Sequence, residues 1–104
     1  MSKIVIIGAG AMGSAFALPC LDNNHDINIV GTHLENDFID NLKQNHNFHP
    51  GLNTKIPQEI KIFKFEKFDE LLKSNVDLLV LGISSKGIEW VAEQLNRLYK
   101  DVKI

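Results

Sequence analysis

Residues 4–13 read Ile4-Val5-Ile6-Ile7-Gly8-Ala9-Gly10-Ala11-Met12-Gly13. Four apolar, β-branched residues run straight into three glycines, and a helical pattern follows at once. A continuous apolar run of this kind marks a strand buried on both faces, as in parallel sheets covered by helices on each side. The glycines spell G-x-G-x-x-G at the strand-to-helix turn, the arrangement that a dinucleotide site requires. Gly8 permits the tight turn. A side chain at Gly10 would collide with a pyrophosphate, and Gly13 lets the helix pack close to the strand. Free N–H groups at the helix start, at the positive end of its dipole, would hold the phosphates.

The rest of the composition narrows the class. A chain of 104 residues makes one domain, residues 1–104, and 44% hydrophobic content is enough for a core. The formal net charge of −2, with lysines interleaved among acids, offers no basic field for nucleic acid or an anionic membrane. No apolar run is long enough to span a bilayer, and the glycine turn breaks the only stretch resembling a signal peptide. Cys20 is the single cysteine and reads as a small buried helix residue. These features fit a soluble, cytoplasmic protein.

Along the chain, a helix is expected from Ala11 to Asp22, with Ala15, Leu18 and Leu21 on its apolar face beside Phe16 or Cys20. Pro19 should kink it. Asn24 suits a left-handed cap. Ile27–Gly31 reads as the second strand. An acid at its end would bind the adenosine ribose and disfavour a 2′-phosphate. The end instead reads Gly31-Thr32-His33, and Glu35 comes two residues late. Thr32 suits a ribose hydroxyl or phosphate oxygen, and a protonated His33 suits a 2′-phosphate. The expected cofactor is therefore NADP or NAD, with the missing acid favouring NADP(H). Residues 36–45 form a surface helix, and residues 45–53, rich in turn formers, form a loop. His33, His46 and His49 match no common zinc spacing and are expected to be surface histidines.

A third strand follows at Ile60–Phe63, then a short helix over Phe68, Leu71 and Leu72. Asp77–Ile83 is a second buried parallel strand. Ser84 and Ser85 stand at its carboxyl end, where ligands bind in such sheets and where a serine can also cap a helix. The last helix shows Ile88, Val91, Ala92, Leu95, Leu98 and Tyr99 on one face, and Trp90 is read as packing. Residues 101–104 look like the opening of a fifth strand. This order predicts an α/β, Rossmann-like, doubly wound parallel sheet, cut short at its C-terminus. The glycine turn sits at the switch point between strands one and four.

With the GAGAMGSA turn, Asp22-Asn23, Val30-Gly31-Thr32, His49-Pro50-Gly51-Leu52 and LVLGISSKG (Leu79–Gly87) in place, the sequence resembles the N-terminal domain of NAD(P)-dependent glycerol-3-phosphate dehydrogenase, archaeal-type members above all. Ketopantoate reductase shares the GAGAMG opening but typically carries a lysine directly after the fourth strand, where Ser84 stands. The resemblance implies that Gly8, Gly10 and Gly13 shape the pyrophosphate turn. Ala11 and Met12 would face the phosphates, Thr32 and His33 would meet the adenosine ribose or its phosphate, and Ser84 would border the nicotinamide. It implies reversible hydride transfer between NAD(P)H and dihydroxyacetone phosphate, with the catalytic lysines beyond Ile104 and one of them in a helical C-terminal domain. The chain alone is then expected to bind a nucleotide without turnover, and its open sheet edge to favour a homo-oligomer or that C-terminal domain as partner. A stand-alone nucleotide-sensing regulatory module is the other class of function that uses the same glycine turn.

Overall fold

A computed structural model describes residues 2–83 and 85–98, without the side chains at 85 and 86. Strand β1 (Lys3–Ile7) leads through the glycine turn into helix α1 (Ala11–Asp22), then strand β2 (Asp26–Val30) and helix α2 (Asn36–Gln44). Two short strands, β3 (Phe48–His49) and β4 (Thr54–Lys55), precede strand β5 (Lys61–Phe63). A single 3-10 turn at Phe65–Lys67 runs into helix α3 (Phe68–Leu72), and strand β6 (Leu78–Leu81) and helix α4 (Ser85–Leu98) complete the described chain.

The main sheet is parallel, in the order β5-β2-β1-β6. Chain order reverses at β1, so the turn after β1 lies at the switch point, as the sequence predicts. Alternation along β1 divides the core. Ile4 and Ile6 join Ala17, Ile27, Ile29, Ile39 and Leu42 on one face. Val5 and Ile7 join Val30, Phe68, Leu72, Val91 and Leu95 on the other. Helices therefore cover both faces, which is why β1 carries no polar residue after Lys3. A glycine follows each of three strands at the carboxyl edge. Gly8 N–H donates to Val30 O (2.8 Å), Gly31 N–H to Phe63 O (2.9 Å) and Gly82 N–H to Ile7 O (2.8 Å). The ladder thus continues one residue beyond the strands while no side chain fills the space above it.

Several expectations are corrected. Strand β2 ends at Val30 rather than Gly31. Helix α1 buries Gly13, Ser14 and Ala17, with Leu18, Cys20 and Leu21 half-buried, whereas Ala15 and Phe16 face outward. The helix is apolar nearly all round, so periodicity has no contrast with which to choose a face. It runs on through the exposed Pro19 to Asp22. In α4, Val91 and Leu95 are buried while Ile88 and Ala92 are exposed. The expected loop at 45–53 contains β3 and leads into an antiparallel pair, Phe48 opposite Lys55 and His49 opposite Thr54. Its turns use left-handed backbone at His46, Asn47 and Asn53, and the expected left-handed Asn24 has φ 63°. Tyr99, Ser84 and the expected fifth strand at 101–104 lie outside the described residues.

Ile6 is fully buried, while Ile88 is 48% exposed. Ile6→Ala is expected to cost about 2–5 kcal/mol and Ile88→Ala less than about 0.5 kcal/mol. Urea unfolding midpoints at unchanged slope check this contrast.

Candidate functional site

The site is built where β1, α1 and β6 converge on glycines. Gly8 has φ +112°, a conformation that side chains rarely adopt, and a Cβ there would collide with the Gly82 carbonyl oxygen. A Cβ on Gly13 would lie 2.7 Å from Gly8 O, and one on Gly82 would lie 2.7 Å from Gly13 Cα. These positions are glycine because backbone meets backbone. Gly10 is different. Its backbone is extended (φ −67°, ψ 176°), and a Cβ there would meet nothing within 4 Å. No contact among the described residues requires glycine at that position.

Gly10 caps α1 without a side-chain bond, and the first hydrogen bond of the helix is Ser14 N–H to Gly10 O (3.0 Å). The N–H groups of Gly10, Ala11, Met12 and Gly13 carry no partner among the described residues. Ala11 and Met12 are exposed, Met12 by 72%. Unpaired donors at a helix N-terminus, at the positive end of its dipole, suit an anion.

The peptide groups flanking Ala9 are held firmly. The Glu35 carboxylate accepts from Ala9 N–H, with both oxygens 3.2 Å away, and from Thr32 N–H at 2.9 Å. Ala9 O accepts from His49 Nε2 at 2.9 Å and from Ser14 Oγ at 3.2 Å. His49 and Ser14 are both buried, and His49 Nδ1 accepts the Gly51 N–H at 3.1 Å. His49 is thus no surface histidine. A polar residue among turn formers reads as solvated, but here backbone groups satisfy both ring nitrogens. Glu35 stands two residues late for a ribose-binding acid, yet the turn at Thr32–Glu35 carries its carboxylate back to the glycine turn. The signal available for His49 was its place in a short Phe-His-Pro-Gly run flanked by left-handed asparagines.

A cleft of about 470 Å³ opens above the carboxyl ends of the strands. Gly10 and Gly82 form its floor, Thr32, His33 and Glu35 one wall, and Ile83 and Trp90 the other. His33 stacks on Trp90 with ring centroids 4.8 Å apart, and Phe65 backs Trp90 at 5.5 Å. The structure therefore brings Gly10, Thr32 and His33 into one cleft beside the α1 N-terminus, with Gly8 and Gly13 shaping the turn beneath. Ser84 lies outside the described residues. The size, the apolar wall and the few convergent polar groups are those of a small-molecule pocket. The pyrophosphate of a dinucleotide fits the open space over Gly10 and the unpaired N–H groups.

Other groups stand apart from this cleft. Burial pushes the Cys20 thiol up, which disfavours the reactive thiolate. Bidentate hydrogen bonds from Arg97 hold the Asp69 carboxyl below its ordinary range, in an exposed pair that ties α3 to α4. Among the described residues, no group of three or more His, Cys, Asp or Glu side chains is placed to hold a metal ion. No helix of the described residues is long and apolar enough to cross a membrane.

Comparison with known proteins agrees with this geometry. Residues 3–104 match the family model described as NAD-dependent glycerol-3-phosphate dehydrogenase N-terminus. An NADP(+)-dependent glycerol-3-phosphate dehydrogenase of Archaeoglobus fulgidus is 32% identical over 98 residues, covering 94% of this chain and 28% of that protein. A glycerol-3-phosphate dehydrogenase [NAD(P)+] of Bacillus pumilus is 34% identical over 99 residues, covering 94% of this chain and 27% of its own length. One of Shouchella clausii is 34% identical over 106 aligned positions, covering the whole chain and 30% of its own length. The chain thus spans under a third of the length of these relatives. Among solved structures, a Rex-family repressor superposes with a TM-score of 0.63 at 19% identity, over all of this chain and 48% of its own. That likeness speaks to the fold alone.

The glycines separate by role in a stability measurement. Gly13→Ala is expected to cost about 1–3 kcal/mol through overpacking. Gly10→Ala is expected to change stability by less than about 1 kcal/mol, since only a helix cap is altered. Thermal and urea unfolding of the two variants check this.

Proposed function

This chain belongs to the NAD-dependent glycerol-3-phosphate dehydrogenase family, matching its N-terminal portion, and we propose that it binds the dinucleotide with which such an enzyme interconverts dihydroxyacetone phosphate and sn-glycerol 3-phosphate. The observation that carries this reading is Gly10, whose missing side chain would touch nothing among the described residues, beside N–H groups at the helix start that have no partner among them. Gly10, Ala11 and Met12 receive the pyrophosphate through their backbone. Thr32 and Glu35 meet the adenosine ribose at the end of β2. The apolar wall of Ile83 and Trp90, with His33, shelters the adenine. Ser84, following β6, borders the nicotinamide side, as in the family pattern.

The cofactor's nicotinamide supplies the hydride, and this chain's residues bind and orient it. Reduction of a carbonyl also needs a proton donor placed at its oxygen and a grip on the substrate phosphate. We assign those roles to a C-terminal domain of the kind that completes the longer relatives. Residues 1–104 form the dinucleotide-binding domain and by themselves turn over no substrate. Leu78 and Leu81 on β6, exposed among the described residues, support a covering partner there, either that domain or a second copy. A cytoplasmic location fits this role.

The choice of cofactor turns on Glu35. With His33 in place of an acid, the sequence favours NADP(H). The Glu35 carboxylate nevertheless lies at the end of β2, facing the cleft and bonded to the glycine turn. Two N–H donors, with that of Ala9 shared between both oxygens, leave it capacity for ribose hydroxyls, and its charge opposes a 2′-phosphate. We therefore favour NAD(H).

Fluorescence titrations of NADH and NADPH test both statements. The wild-type chain is expected to bind NADH more tightly, and Glu35→Gln to narrow the ratio by about tenfold, as loss of a charged acceptor implies. Gly10→Ala is expected to weaken both cofactors. Equal or tighter NADPH binding by the wild type would overturn the role of Glu35. Oxidation of NADH with dihydroxyacetone phosphate by this chain alone would overturn the assignment of catalysis elsewhere.

A further inference from the structure

We infer that His49 is a positioning residue for the cofactor turn, aiming the Gly10 N–H at the bound pyrophosphate through the peptide between Ala9 and Gly10. This rests on the reading of the cleft as a dinucleotide site. His49 comes from β3, forty positions after Ala9 in the chain, and is 2% exposed. Its two hydrogen bonds fix its chemical form. Gly51 N–H can only donate, so Nδ1 carries no proton. Ala9 O can only accept, so Nε2 carries one and donates it at 2.9 Å. The ring is the neutral Nε2–H tautomer.

The consequence follows from peptide geometry. The unit is planar and trans, so the Gly10 N–H points opposite to the Ala9 carbonyl. Drawing that carbonyl inward to His49 and Ser14 turns the Gly10 N–H outward. Gly10 lines the cleft and its N–H has no partner among the described residues. Without the inward bonds, this peptide is free to rotate, because glycine accepts the positive φ that a flip produces at little cost. A flipped peptide would present a carbonyl oxygen to the phosphate, replacing attraction by repulsion. Ser14 Oγ also donates to Ala9 O, but at 3.2 Å, so His49 makes the shorter bond. The same loop sets Gly51 against Ala11, where a Cβ on Gly51 would lie 3.4 Å from Ala11 Cβ. The loop at 49–52 therefore braces the turn on both sides of Gly10. Pro50 and Gly51 keep it tight enough for one side chain to reach.

The test compares wild type, His49→Leu and His49→Gln by NADH titration and by the backbone amide signals of Gly10 and Ala11. Leucine keeps bulk without a donor. Glutamine restores an N–H where Nε2 stands. His49→Leu is expected to weaken NADH binding by about tenfold, in the range set by one lost hydrogen bond, and to shift or broaden the Gly10 amide signal. His49→Gln is expected to recover most of both. The ¹⁵N signals of the wild-type ring are expected to show the neutral Nε2–H form, which decides the geometry even where a variant folds poorly. Unchanged affinity and an unchanged Gly10 signal in His49→Leu would overturn the inference, as would a glutamine variant no better than leucine. Failure of the wild type to bind either NADH or NADPH would instead overturn the dinucleotide reading, while the Gly10 amide and ring signals would still judge the bond from His49.

Discussion

Backbone approaches backbone at one point in this fold, and much else follows from it. Gly8, Gly13 and Gly82 come from the end of β1, the first turn of α1 and the end of β6. Their contacts leave no room for a Cβ. That closeness sets the first turn of α1 directly over the switch point of the sheet, with its unpaired N–H groups facing the crevice. The hydrophobic core makes the closeness possible. Ile4 and Ile6 pack one face and Val5 and Ile7 the other, so β1 is clamped between two layers and presents its end to solvent in one orientation.

Selection of ligand is separated from the packing that builds the site. Gly8, Gly13 and Gly82 are demanded by close backbone contacts, whereas a Cβ on Gly10 would meet nothing within 4 Å among the described residues. Glu35 and His49 grip the peptides on either side of Ala9, one by its N–H and the other by its carbonyl. The turn is thereby held in shape before any cofactor arrives, which spares binding the cost of ordering it.

The parallel sheet, its helices and the glycine turn were legible in the sequence because they rest on local signals, whereas the short β3–β4 pair was hidden among turn formers. A run of β-branched residues needs two covered faces. Helix α1 begins at Ala11 and ends at Asp22, as its pattern predicts, since a glycine turn and a run of asparagines bracket it. The faces of α1 and α4 were less legible. In α1 the apolar residues surround the axis, and in α4 the buried face depends on where α3 and the sheet stand. Glu35 and His49 were hidden for a related reason. Each acts on a backbone group far away in sequence, through a turn or hairpin whose path no local pattern records. Glu35 reaches Ala9 across 26 positions and His49 reaches it across 40. His33, twenty residues after Gly13, does line the cleft, and its ring packs tilted against Trp90.

A dinucleotide bound as proposed lies across the carboxyl ends of the strands, with its phosphates on the turn at Gly10. Amide ¹H–¹⁵N spectra of the chain titrated with NADH test it most directly. The largest shifts are expected at Gly10, Ala11, Met12 and Thr32 and at the indole N–H of Trp90, with Ser74 and Asp77, both bonded to Lys3 at the opposite end of the sheet, unmoved. Shifts confined to that opposite end, or saturating NADH with the Gly10–Met12 amides unchanged, would contradict it.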